Sequence, residues 1–166
     1  MPGSRSYKVR VTKDDLVFAA GHFITFDEGQ CERLHGHNYR VAVEVEDDLG
    51  GDSYVFDFIA LLALTRTFAA ELDHRMLLPG RSSLIQLESD DSNWLVRHAD
   101  RRWSFPQDEC VVLPLSNTTA ELLADYFLGR LLLAFEAQNL GRPRVVRVEV
   151  EESPGQSAQV EWRRDG

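Results

Sequence analysis

The stretch Cys31-Glu32-Arg33-Leu34-His35-Gly36-His37-Asn38-Tyr39-Arg40-Val41-Ala42-Val43-Glu44-Val45 joins a His-x-His pair to an alternating apolar run. Side chains two apart on a β-strand share a face. A strand that reaches back to His35 therefore carries both imidazoles on the stripe of Tyr39, Val41, Val43 and Val45. Upstream, Leu16-Val17-Phe18-Ala19-Ala20-Gly21-His22 puts a third histidine in phase with Leu16, Phe18 and Ala20. The two segments read as a hairpin with His22, His35 and His37 on one face. Three imidazoles with an open position are the ligand set of a catalytic zinc. The blander alternative is a set of hydrogen-bonded histidines at the rim of a core. Cys31 fits two roles, as the fourth ligand of a closed structural site or as a thiolate beside an open one.

The rest of the chain places this hairpin in an α+β pattern. Tyr7, Val9 and Val11 alternate with Lys8 and Arg10, giving the N-terminus strand character. Phe58 to about Leu72 carries Leu61, Leu64, Phe68 and Leu72 at helical spacing, and Asp57 before it suits an N-cap. Thr118-x-x-Glu121 matches a capping box for a second helix to about Gln138. Two strands close the chain, the first with Val146, Val148, Val150 and Glu152 on one face, the second with Ala158, Val160 and Trp162. The expected architecture is a single domain over 1–166: a four-stranded antiparallel sheet with two helices on one face and a β insertion at about 81–113 between the helices.

Composition excludes several classes of function. At 166 residues, 43% hydrophobic and 27% charged, the chain suits one soluble domain. A net charge of −9 argues against a general nucleic-acid binder. No apolar run reaches membrane-spanning length, and the first eight residues hold no apolar signal core, so a cytoplasmic location is expected. Cys31 and Cys110 do not form a disulfide framework, and Cys110, in Glu109-Cys110-Val111-Val112-Leu113, reads as a small core residue. Glu152 is an odd placement, because a carboxylate on an apolar strand face is costly unless a partner or ligand meets it. One explanation is a strand end that bends to water; the other is an anchor for a ligand with adjacent N–H donors.

Phe18-x-Ala20-x-His22, Cys31-x-x-x-His35-Gly36-His37, Leu72-Asp73-His74, Thr119-Ala120-Glu121 and Val148-x-Val150-x-Glu152-Ser153 occur in this order. Together they resemble the 6-pyruvoyl-tetrahydropterin synthase and 6-carboxytetrahydropterin synthase family, over most of the chain except 81–113. The resemblance implies the T-fold (tunnelling fold), zinc held by His22, His35 and His37, and a catalytic Cys31 partnered by Asp73 and His74. It implies that Glu152 holds the pterin ring, with Thr118, Thr119 and Glu121 lining the pocket. It further implies homo-oligomers, commonly hexamers, with active sites between subunits. The expected activity is a zinc-dependent lyase reaction on 7,8-dihydroneopterin triphosphate giving 6-carboxy-5,6,7,8-tetrahydropterin, on the route to queuosine. The alternatives are triphosphate elimination to 6-pyruvoyl-tetrahydropterin, or a non-enzymatic protein with a closed His3Cys zinc site. Arg33, Arg40 and Arg75 are candidate cations for the triphosphate by their nearness to the motifs. Two departures from the family pattern stand out: the longer 81–113 segment, and Ser153 where threonine is common.

Overall fold

The computed structural model describes residues 5–12, 14–27 and 29–165. Met1–Ser4, part of the N-terminal stretch read above for a signal core, lie outside them. The elements, in chain order, begin with β1 (Tyr7–Val11), β2 (Val17–His22), β3 (Thr25–Phe26), β4 (Gln30–Cys31) and β5 (His35–Asp47). After α1 (Phe58–Leu72) come β6 (Arg75–Pro79), β7 (Gln86–Ser89), β8 (Asn93–His98), β9 (Arg101–Pro106) and β10 (Cys110–Leu113). α2 (Ala120–Ala137) then leads into β11 (Val145–Ser153) and β12 (Gln156–Arg163).

β5 is the spine of the sheet, and the alternation in its sequence explains why. Its first half pairs with β2, its second half with β1, and its other edge with β11, all antiparallel. The antiparallel run β2-β5-β11-β12 is the four-stranded unit that the sequence predicts. The sheet is wider than that, because β6 and β10 add parallel strands beyond β2 and β1 makes seven. One face carries the apolar phase of these strands: Phe18, Tyr39, Val41, Val43, Val146 and Val148 are all buried. Both helices cover that face. α1 buries Leu61, Leu64, Phe68 and Leu72 against it, and α2 buries Leu123, Phe127, Leu131 and Phe135. Each such side chain contributes about 1.5–3 kcal/mol relative to exposure. The opposite face is charged, with Arg147 bound to Glu44, Glu46 and Glu161, and Arg10 bound to Glu149.

Two caps differ in outcome. Asp57 caps α1 as expected, its Oδ1 accepting from Ile59 N and Ala60 N. The capping box does not form: Thr119, not Thr118, caps α2 by accepting from Leu122 N. Thr118 is fully buried and its hydroxyl donates instead to Phe23 O at 3.1 Å, a bond that holds the α2 entry against the end of β2.

Within 81–113, β7, β8 and β9 form a separate three-stranded antiparallel sheet, whereas β10 joins the main one beside β6. Alternation along β6 decides which core each residue serves. Leu77 enters the main core, while Met76 and Leu78 face a smaller apolar cluster with Phe23, Cys31, Ile85 and Val96. Trp94, Trp103 and Phe105 of the inserted sheet pack on this cluster, and Trp103 stacks on Phe23 at 4.9 Å between ring centroids. Cys110 is half-buried beside it, and burial pushes its thiol up to about 11, in keeping with an inert packing role.

Candidate metal centre and adjoining pocket

His22 pairs directly with His35 across β2 and β5, and Ala20 with His37, so strand register alone brings the three imidazoles together. One ring nitrogen from each lies within 4.8 Å of those of the other two. Gly36 suits this close pairing. A Cβ at that position would come 3.0 Å from Ala20 O, so a larger residue between the histidines would require the facing strand to shift by a few tenths of an ångström.

The orientation of each ring is set from behind. His22 Nδ1 lies 3.0 Å from Thr118 O, and His35 Nδ1 lies 2.8 Å from Arg33 O. A carbonyl at Nδ1 makes that nitrogen the donor and leaves the Nε2 lone pair free, the arrangement typical of metal-bound histidine. His22 Nε2 and His37 Nε2 are both buried and without a hydrogen-bond partner. Glu152 Oε1 approaches them at 3.3 and 3.6 Å, and Tyr39 donates its hydroxyl to the same oxygen at 3.4 Å. Neither histidine nitrogen is aligned for a hydrogen bond to that carboxylate, so both remain unpaired. Unpartnered buried nitrogens are rare and costly, and a cation accepting both lone pairs removes the cost. Burial holds His22 below its usual 6.5, which keeps it neutral and able to ligate at pH 7. The residues therefore fit a zinc-type ion.

Glu152 also lines a cavity of about 390 Å³ with Ile24, Thr119, Ala120, Glu121 and Gln156. The strand-end carboxylate thus does not turn away to bulk water; it stands between the imidazoles and this cavity. Thr119 and Glu121 share the cavity, while Thr118 sits behind it as the support of His22. Burial raises the Tyr39 hydroxyl, so it stays a donor to Glu152.

The other expected site residues differ in how they stand to this centre. Cys31 is not in the group of converging metal-ligand atoms. Its side chain packs in the satellite cluster with Phe23 and Met76, and its thiol donates to Glu32 O at 3.4 Å. The closed His3Cys alternative is therefore not what this chain forms, because apolar packing takes the thiol away from the imidazoles. Asp73 and His74 form a bonded pair at 2.8 Å, with Asp73 Oδ1 accepting from Ala19 N at 2.8 Å. That backbone bond, and next the His74 ring, hold the Asp73 carboxyl below its usual range. His74 has φ 56°, and its ring is 83% exposed. It lines a larger cavity, about 520 Å³, together with His35, His37, Asn38, Arg75 and Phe105, so it shares this space with two of the three imidazoles. Arg40 pairs with Asp14 at 3.5 Å, while Arg33 is exposed.

One site residue escaped the sequence argument. Glu32 places its carboxylate 3.8 Å from His35 Nε2. The signal was its place three residues before His35, next to Cys31 in the same motif.

Residues 10–163 match the family model described as 6-pyruvoyl tetrahydropterin synthase. A Methanocaldococcus jannaschii protein provisionally named 6-carboxy-5,6,7,8-tetrahydropterin synthase is 32% identical over 146 residues, 86% of this chain and 88% of that protein. The solved 6-pyruvoyl tetrahydropterin synthase of Plasmodium falciparum superposes with a TM-score of 0.88 at 30% identity, over 96% of this chain and 99% of that one. A Plasmodium vivax 6-pyruvoyltetrahydropterin synthase, solved as a variant of a catalytic glutamate, gives 0.87 at 30% identity over the same shares. The architecture is that of these enzymes, the T-fold with its two helices over a curled sheet. This chain belongs to the 6-pyruvoyl tetrahydropterin synthase family, lyases of pterin metabolism.

Proposed function

We propose that the chain is a zinc-dependent lyase that converts 7,8-dihydroneopterin triphosphate to 6-carboxy-5,6,7,8-tetrahydropterin, as expected of a cytoplasmic step toward queuosine. The observation that carries this reading is the convergence of the His22, His35 and His37 nitrogens beside Glu152, which also lines a cavity. The product assignment rests on the names of the relatives similar to this chain over most of its length. Zinc held by the three histidines would supply Lewis-acid polarisation of the substrate's side-chain oxygens.

The chain's own residues account for the rest. Glu152, an acceptor on both oxygens, suits the adjacent ring N–H and exocyclic amine of a pterin. Thr119 and Glu121 line the same cavity. Proton transfer falls to the Cys31–Glu32 pair: the carboxylate faces His35, and the thiol sits one residue away. His74, bonded to Asp73, lines the other cavity together with His35 and His37, and we assign the pair to proton relay on that side of the metal centre. Arg75 in that cavity is then a cation available to the triphosphate.

Incubation with dihydroneopterin triphosphate, with products identified by mass, tests the assignment. The 6-carboxy product requires loss of the outer two side-chain carbons as acetaldehyde along with triphosphate. Triphosphate release with all side-chain carbons retained gives the 6-pyruvoyl product, the reading favoured by the solved structures' names.

The ring anchor has its own check. Glu152→Gln keeps shape but sets an amide donor against one of the two ring donors. Hydrogen bonds to a charged acceptor are worth roughly 1.5–3 kcal/mol each. Dihydropterin affinity should therefore fall at least about tenfold, with zinc content unchanged. Equal affinities in a calorimetric titration of the two proteins would return Glu152 to a structural role.

A further inference from the structure

The inserted sheet reaches the Cys31–Glu32 segment through one side chain. Arg101, the first residue of β9, donates from a single Nη1 to Cys31 O at 2.8 Å and to Glu32 O at 3.0 Å. It follows directly on the β8–β9 turn, where Ala99 holds φ 51°, a left-handed conformation that costs a non-glycine residue energy. The residue is exposed, and its guanidinium also acts on the Cys31 thiol electrostatically.

The segment it grips has few other anchors. Glu32 N donates to Ile24 O at 2.9 Å, and Cys31 pairs with Thr25 in the two-residue strands β3 and β4. Glu32 O accepts from both Arg101 and the Cys31 thiol, so one oxygen ties the guanidinium to the sulfur. The Glu32 carboxylate then extends from this main chain toward His35. A short loop carrying two reactive groups is thereby held by a charge-assisted bridge across two successive carbonyls, from a hairpin packed on the same cluster through Trp103 and Phe23.

We infer that Arg101 is a positioning residue: it fixes the Cys31–Glu32 main chain, and with it the placement of the thiol and carboxylate, without touching substrate. Geometric placement carries large rate factors, since a misplacement of about 1 Å can cost about 10²-fold. The inference rests on the lyase reading for its kinetic arm only. Its structural arm is independent of any substrate.

The test uses Arg101→Met, which keeps the apolar stem, and Arg101→Lys, which keeps the charge and one or two of the donors. In Arg101→Met, amide exchange in peptides spanning 30–34 should quicken at least about tenfold, as expected for a segment released to local opening. Exchange in β5 and β11 should not change, nor should zinc content. With dihydroneopterin triphosphate, kcat should fall about tenfold to a hundredfold at near-constant KM. Arg101→Lys should recover part of both effects. Unchanged exchange at 30–34 overturns the inference, whatever the kinetics. A raised KM with kcat preserved also overturns it, because Arg101 would then be a substrate contact. If the wild-type protein does not turn over this substrate, the proposed reaction fails while the exchange arm still decides the role of Arg101.

Discussion

His35→Ala is expected to lose zinc while keeping its fold. Its ring supplies one of three converging ligand nitrogens, and its Nδ1 is held by Arg33 O. Disturbing even the outer partners of a metal ligand typically costs about 10–100-fold in affinity, and removing the ligand itself should cost more. The fold should tolerate the change, because the side chain is 38% exposed at the first residue of β5, away from the main core. His22→Ala is a poorer choice, since that ring is only 1% exposed and its loss opens a cavity. The pH dependence has a definite sign. Metal binding requires neutral imidazole, so zinc should be retained at pH 7 and released as acid protonates the site. Burial lowers His22, which moves its own protonation below pH 6.5 and extends retention toward acid. Zinc per chain after dialysis, measured across pH for both proteins, decides the matter. Full occupancy in His35→Ala at pH 7 would remove the site as drawn.

Much of this arrangement was legible in residue order because β-structure converts spacing into direction. The alternation from Tyr39 to Val45 fixed which way His35 and His37 face, and Ala20 carried the same information for His22. Asp57 and the apolar positions of α1 were likewise readable, since they depend on contacts within a few residues. What lay hidden depends on contacts distant in sequence. Thr118 reads locally as a cap, yet the approach of β2, about 95 residues earlier, draws its hydroxyl to Phe23 O and its carbonyl to His22. The parallel addition of β6 and β10 leaves no local trace, because buried apolar runs such as Met76-Leu77-Leu78 suit a helix end as well as a strand. Cys31 was read for its chemistry, but its environment is made by Met76, Val96 and Trp103, which only the folded insertion brings to it.

Replacing Glu32 with Gln, and Cys31 with Ala, should each lower turnover by about 10²–10⁴-fold, the range for loss of a general base, with zinc retained in both. Two features argue that the pair acts as a unit. Burial pushes the Cys31 thiol up and Arg101 offsets this only in part, so the thiol is not a free-standing thiolate in its packed position. The Glu32 carboxylate is the group that faces His35, and the Glu32 main-chain carbonyl accepts a hydrogen bond from the Cys31 thiol. Residues acting as a unit show strongly non-additive losses. The double variant should therefore be no more than about tenfold slower than the worse single variant, rather than the product of both losses. Single-turnover rates on dihydroneopterin triphosphate, at matched zinc content, separate the alternatives. Near-normal turnover in Cys31→Ala with collapse in Glu32→Gln hands proton transfer to the carboxylate alone. The reverse pattern restores the thiol, and its packing among Phe23 and Met76 then has to open during the reaction. Near-normal turnover in both would place the base elsewhere, with the exposed His74 the next side chain to test.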